Sequence, residues 1–220
     1  MESIISLDLL LRWLHVAFGI VWIGMLYYFN FVQMEYFKVA QADSKADALK
    51  NLAPRALFYF RWGAFFTFLT GVFLIEIIRQ GHGVNSFITL GATLGTIMFL
   101  NVWLVIWPNQ KIVIGLAEGD KAAAGAKAGL ASRTNTLFSG PMLLGMMGSF
   151  HGAGNASYAL MGNAANANAS TTGLLIALAI VALLEINALK GKMGPLTSIV
   201  GVIHCSLALT IVFFGLLQFL

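Results

Sequence analysis

The sequence is short of charge. Asp, Glu, Lys and Arg together make up 10% of its 220 residues, against about a quarter in a soluble domain. Hydrophobic residues reach 59% and the mean hydropathy is +0.82, which excludes an ordinary water-soluble globule and implies an integral membrane protein. Cysteine is almost missing too. Cys205 stands alone, so there can be no intramolecular disulfide, no Cys-x-x-Cys metal site and no covalent haem attachment. Lys and Arg never cluster with interleaved aromatics, and a net charge of +4 is modest, so nucleic acid is not an expected partner. The opening MESIISLDLL lacks a basic n-region, so the first span, not a cleaved leader, is read as the membrane signal. Glycine-rich phosphate motifs and fixed-period repeats are absent as well.

What is present is a set of long apolar runs. Crossing the hydrocarbon takes about 20 mostly apolar residues, and six stretches qualify: 9–32, 57–78, 86–107, 135–154, 172–189 and 196–219. The expected fold is all-α, a polytopic bundle of about six transmembrane helices in a single transmembrane domain, 1–220. Residues 34–56 mix apolar and charged residues at helical spacing, which predicts a surface helix between spans one and two. Residues 108–134, rich in Ala, Gly and Lys, are expected to be partly helical; the uncharged 152–171 reads as a polar loop. Three connections hold ten basic residues: Lys38, Lys45, Lys50 and Arg55; Lys111, Lys121, Lys127 and Arg133; Lys190 and Lys192. Only Arg79 stands clearly in a loop on the other side. The positive-inside rule then puts the basic connections in the cytoplasm and both termini in the periplasm. Trp103 and Trp107 fit an interfacial belt near the cytoplasmic end of span three.

Polar residues within the spans carry the chemistry. At about 100° per residue, Arg12, Gly19, Trp22, Leu26, Asn30 and Gln33 fall on the same face of span one as His15. Ionisable residues inside a span face the bundle interior or a cavity and are functional candidates by default. The plainer reading of His15 is a hydrogen bond between helices, and of Arg12 a side chain snorkelling to the interface. In span four, Gly148, Met147, Leu144, Gly140, Leu137, Thr136 and Arg133 share the face of His151. Two glycines there leave room for a flat ligand or for a close helix, and Pro141 can kink the span. GATLG (91–95) in span three reads as helix packing. His15 and His151 lie at matching depth near the periplasmic face and can supply both axial positions of a haem. His204 sits nearer the middle of span six, as a hydrogen-bonding residue or substitute ligand. His82 is read as solvated in its loop. Arg12 or Arg79 can pair with haem propionates, although Glu76 and Arg79, three apart, form a natural ion pair of their own. Arg61 suits snorkelling, and Glu185 either proton transfer or a solvent-facing helix end. Met147 with His151 also suits Cu(I), which makes copper a lesser alternative. A Ser/His/Asp site finds no support, because Asp43 and Asp47 lie toward the face opposite the histidines.

WLHVAFGIVWIGMLYYFNFVQ (13–33), PRALFYFRWGAFFTFLTG (54–71), NVWLVIWPNQKIVIG (101–115) and ASRTNTLFSGPMLLGMMGSFH (131–151) together resemble the membrane domain of the bacterial membrane-bound urate oxidase family. The match runs in order across about two thirds of the chain. The LH…W-x-G opening is also similar to copper-resistance protein D and the membrane protoporphyrinogen oxidases. The resemblance implies a redox role in the bacterial inner membrane, with electrons delivered to a respiratory cytochrome. At matching positions it singles out His15, Trp22, Arg61, Asn101, Trp103, Asn109, Arg133, Asn135 and His151. Full-length urate oxidases carry a C-terminal cytochrome c domain. Here the sequence stops after span six without Cys-x-x-Cys-His, so electron exit is expected through a separate cytochrome or respiratory complex.

The expectation is a b-type haem protein in electron transfer, oxidoreductase-like. His15 and His151 would be iron ligands, with Arg12, Arg79, Trp22 and Gly148 around the cofactor. The alternatives are a cofactor-free accessory subunit of a larger membrane redox assembly and, further off, a copper or solute transporter. Self-association is left open.

Overall fold

The computed structural model describes residues 2–81, 83–151 and 171–220, with 2–6, 150 and 151 as backbone only. His82, the His151 side chain and all but Thr171 of the 152–171 loop therefore lie outside the described residues. α1 (Glu2–Tyr27) runs through a π-helical segment (Tyr28–Gln33) into α2 (Met34–Val39). Ala40 and Gln41 are extended. The chain then returns through α3 (Ala42–Asp47), a second π-helical segment (Ala48–Leu52) and α4 (Ala53–Gly81). The 34–56 stretch is thus helical in two pieces, each an extension of its neighbouring span. α5 (Ser86–Leu100), a third π-helical segment (Asn101–Ile106) and α6 (Trp107–Val113) follow. Beyond them come α7 (Lys121–His151), α8 (Thr172–Lys190) and α9 (Ile199–Phe219).

The helices start where the local chemistry allows. Asn85 caps α5 by accepting the Ile88 N–H at 3.0 Å, and its amide donates to the Ser149 carbonyl of α7 at 3.0 Å. Ser198 caps α9 by accepting from Gly201 N–H. Such side chains take up donors that the first helical turn leaves unpaired. Within the spans, Thr67, Thr89, Thr93 and Thr96 return their hydroxyls to the carbonyl four residues back, which hides a polar group where no water is at hand.

Among the described residues, five helical stretches are long and apolar enough to cross a membrane: Leu7–Val39, Ala42–Gly81, Ser86–Val113, Thr172–Lys190 and Ile199–Phe219. The protein is a multi-pass helical membrane protein. The expected fourth span falls in α7, which is not among those five, and the reason is its position. Leu130 to Ser139 is buried without a break, in a helix that packs against α1, α5, α6, α8 and α9. A helix that turns its sides to other helices has no need of the apolar surface that lipid demands.

Small residues set how closely the helices approach. A Cβ on Gly145 would lie 2.6 Å from both the Cα and the backbone nitrogen of Gly91, and 2.7 Å from the Phe87 carbonyl. The α5–α7 crossing is therefore backbone against backbone, as GATLG predicts. Gly148 makes room for the Phe87 ring, and Gly140 for Ser206 and Thr210 of α9. Gly145→Val, with no flexible side chain to yield, is expected to destabilise the bundle by about 1–3 kcal/mol or more. A lowered thermal midpoint of the purified variant in detergent would display this, whereas Gly24→Ala, in open space, should leave it unchanged.

Candidate functional site

The polar stripe of span one has two partners, one for each half. Toward the end bearing the termini it lies along α4. His15 meets Gly71, where a Cβ would come within 3.1 Å of the ring Cε1; Gly19 faces Thr67; Gly63 leaves space for the backbone of Trp22. The His15 Nδ1 stands 3.1 Å from Thr70 Oγ1. Thr70 has one hydroxyl proton, and it goes to the Phe66 carbonyl at 2.7 Å, shared with that of Thr67 at 3.0 Å. With that proton engaged, the hydroxyl offers His15 an acceptor, and the tautomer that uses it carries its hydrogen on Nδ1 and its lone pair on Nε2.

Toward the basic connections the stripe turns to α7. Ser139 donates to the Thr136 carbonyl and is hydrogen-bonded to the Tyr27 hydroxyl at 2.8 Å. The Asn30 amide donates to Ser132 Oγ at 2.8 Å and to the Leu26 carbonyl at 2.9 Å. On the far side of α7, Asn135 donates to the Met98 carbonyl at 2.9 Å and accepts from Asn101 at 3.0 Å. Asn101 also donates to Glu185 of α8 at 3.0 Å. Glu185 is thus held in a helix-to-helix network, not at a solvent-facing helix end. This polar layer joins four helical elements and gathers Asn101, Arg133 and Asn135.

Arg133 departs furthest from its sequence reading. Counted among the connection cations, it stands inside α7 at 1% exposure, and all three guanidinium nitrogens lack a hydrogen-bond partner. The indole nitrogens of Trp22 and Trp103 and the side-chain oxygens of Asn30 and Gln33 are likewise buried and unpartnered. Trp103 packs edge-on to Trp62 at 5.8 Å, with its N–H enclosed where an interfacial belt would leave it wet. Arg61 stacks over Trp107 at 4.0 Å, a cation–π contact. Asn109 returns its amide to the Val105 carbonyl.

The remaining candidates sit apart. Arg12 binds both oxygens of Asp8 at 2.9 Å through Nε alone. Arg79 forms the expected pair with Glu76, at 2.6 and 2.8 Å. Both arginines are exposed near the terminus-bearing end. Trp22 is 2% exposed and packs in the core. His204 is exposed on α9 and donates Nδ1–H to the Val200 carbonyl at 2.7 Å, turned back on its own helix. Met142 and Met146 lie over Gly95, while Met147 is 55% exposed. Among the described residues no three His, Cys, Asp or Glu side chains converge as a metal site.

The hydrogen-bond layer gives a direct test. Asn101→Leu strands the Asn135 oxygen and releases Glu185, and should cost about 1–3 kcal/mol. Asn109→Leu, whose amide serves only its own helix, should cost less. Unfolding midpoints of the two purified variants compare them.

No curated protein and no solved structure matches the chain. The family comparison does find a counterpart, over the stretch that contains α5, α6 and α7 and so both glycines of the tight crossing and the whole buried polar stretch. Residues 79–163 match the family model described as urate oxidase N-terminal, which supports, on that segment, the kinship with the membrane urate oxidases read along the sequence.

Proposed function

We propose that this urate oxidase-related membrane protein binds haem b and passes electrons through it, with His15 and His151 as the axial ligands. The observation that carries the reading is the state of the His15 ring. Its Nδ1–H is engaged by Thr70 on α4, and no hydrogen-bonding side chain meets Nε2 among the described residues. That is the tautomer and second-partner arrangement that a metal-bound imidazole uses. Depth supports the pairing. The Tyr27–Ser139 hydrogen bond aligns α1 with α7, and His15 and His151 each lie twelve residues from it toward the same end, about 18 Å at 1.5 Å per residue.

The haem, when bound, supplies one-electron chemistry at a potential tuned by its ligands and burial. The protein contributes the orientation of His15, set by Thr70 and by the space over Gly71. Arg12 and Arg79, at the same end, retain guanidinium nitrogens for propionates. Electrons would leave to a cytochrome or respiratory complex, in a bacterial inner membrane with both termini on the periplasmic side.

A cofactor-free accessory subunit is favoured by one observation: the space at Gly148 is taken by Phe87, a packing contact. The two readings separate in a reduced-minus-oxidised spectrum of protein expressed with haem supplied. Haem binding predicts a b-type band that His15→Ala removes. Thr70→Val should keep the band but weaken haem retention by about 10–100-fold. A blank spectrum from the unaltered protein overturns the proposal, and co-purification with fixed partners then supports the accessory role. Stoichiometric copper without iron would instead favour copper binding.

A further inference from the structure

Arg133 does no work in the electron-transfer reading. It stands eighteen residues from His151 on the same helix, roughly 27 Å by the helical rise, too far to serve a haem held there. Yet a guanidinium at 1% exposure with three unpartnered nitrogens is costly to bury. An ion withdrawn from water is tolerated when it is paired and hydrogen-bonded. Arginine does not shed its proton to escape that cost. No acceptor meets it among the described residues. The Glu35 carboxylate is taken by Lys38 at 2.7 Å.

We propose that Arg133 anchors an oxyanion-binding site in the basic-connection half of the bundle, at the buried polar stretch of α7, for a ligand bearing a carboxylate or phosphate group. Charge chooses the class. A neutral ligand would leave the cation uncompensated, and a metal ion would be repelled. The planar fork of N–H donors matches a two-oxygen acceptor. On the neighbouring α1 side, the Asn30 and Gln33 side-chain oxygens are also buried and without a donor. Both residues stand in the π-helical segment Tyr28–Gln33, a departure from α-helical winding of the sort found at functional sites. The oxyanion can come from a soluble anion or from a lipid headgroup.

The test is thermal unfolding of the full chain, since a ligand that binds only the folded state raises the midpoint. In detergent, the probes are inorganic phosphate and benzoate, against sodium chloride at matched ionic strength. In vesicles, phosphatidylcholine is compared with phosphatidylcholine containing phosphatidylglycerol. A saturable rise with phosphate or benzoate assigns a soluble anion, and a rise with phosphatidylglycerol alone assigns a headgroup. Arg133→Met should abolish the response, and Arg133→Lys, which keeps the charge and loses the fork, should weaken apparent affinity about tenfold. If Arg133→Met does not fold, the lysine variant decides. No rise of the unaltered protein with any probe overturns the proposal, as does an unchanged response in the lysine variant.

Discussion

A stretch of helix that carries Ser132, Arg133, Thr134, Asn135, Thr136 and Ser139 and is closed off on every side constrains everything around it. In the hydrocarbon each of these groups must find a partner inside the protein. The neighbours comply one by one. Tyr27 and Asn30 come from the α1 side, Asn101 and the Met98 carbonyl from the α5 side, and Thr134 and Thr136 bond to their own helix. The order of packing about α7 is therefore a hydrogen-bonding order as much as a steric one. The exception is Arg133, whose guanidinium meets no acceptor among the described residues.

The two halves of the bundle divide the chemistry. Toward the terminus-bearing end, α1 and α4 form a seam of small residues and threonines in which one histidine is fixed by a hydroxyl. Toward the basic connections, π-helical windings in two chains of helix coincide with the polar layer. Glycine is used where backbones meet, at Gly91 and Gly145, and where a ring needs a berth, at Gly71 and Gly148. The same residue type thus serves packing at one level and the setting of a side chain at another.

Much of this was legible in the sequence, for reasons that are local. Helical periodicity alone put His15, Gly19, Trp22 and Asn30 on one face, because α1 winds regularly through most of its length. The Glu76–Arg79 pair followed from a three-residue spacing, and the packing role of GATLG from the size of glycine. Arg133, which the sequence places both among the connection cations and on the His151 face of span four, turns out buried, and its charge gave no local sign of that. Burial depends on neighbours far along the chain. Glu185 was missed as a network member for the same cause, since Asn101, its donor, lies 84 residues away.

Composition and periodicity by themselves determined that the chain crosses a membrane as a helical bundle, because apolar run length and the 3.6-residue repeat are properties of single segments. They also fixed which side chains share a face. Only the tertiary structure decided which helix each face meets. It put Thr70 and Gly71 of α4 against His15, buried the polar stretch of α7, and left a guanidinium there without an acceptor among the described residues. Pairing between helices is set by complementary shape and hydrogen bonding across distant segments, and no single stretch of sequence contains both sides of such a contact.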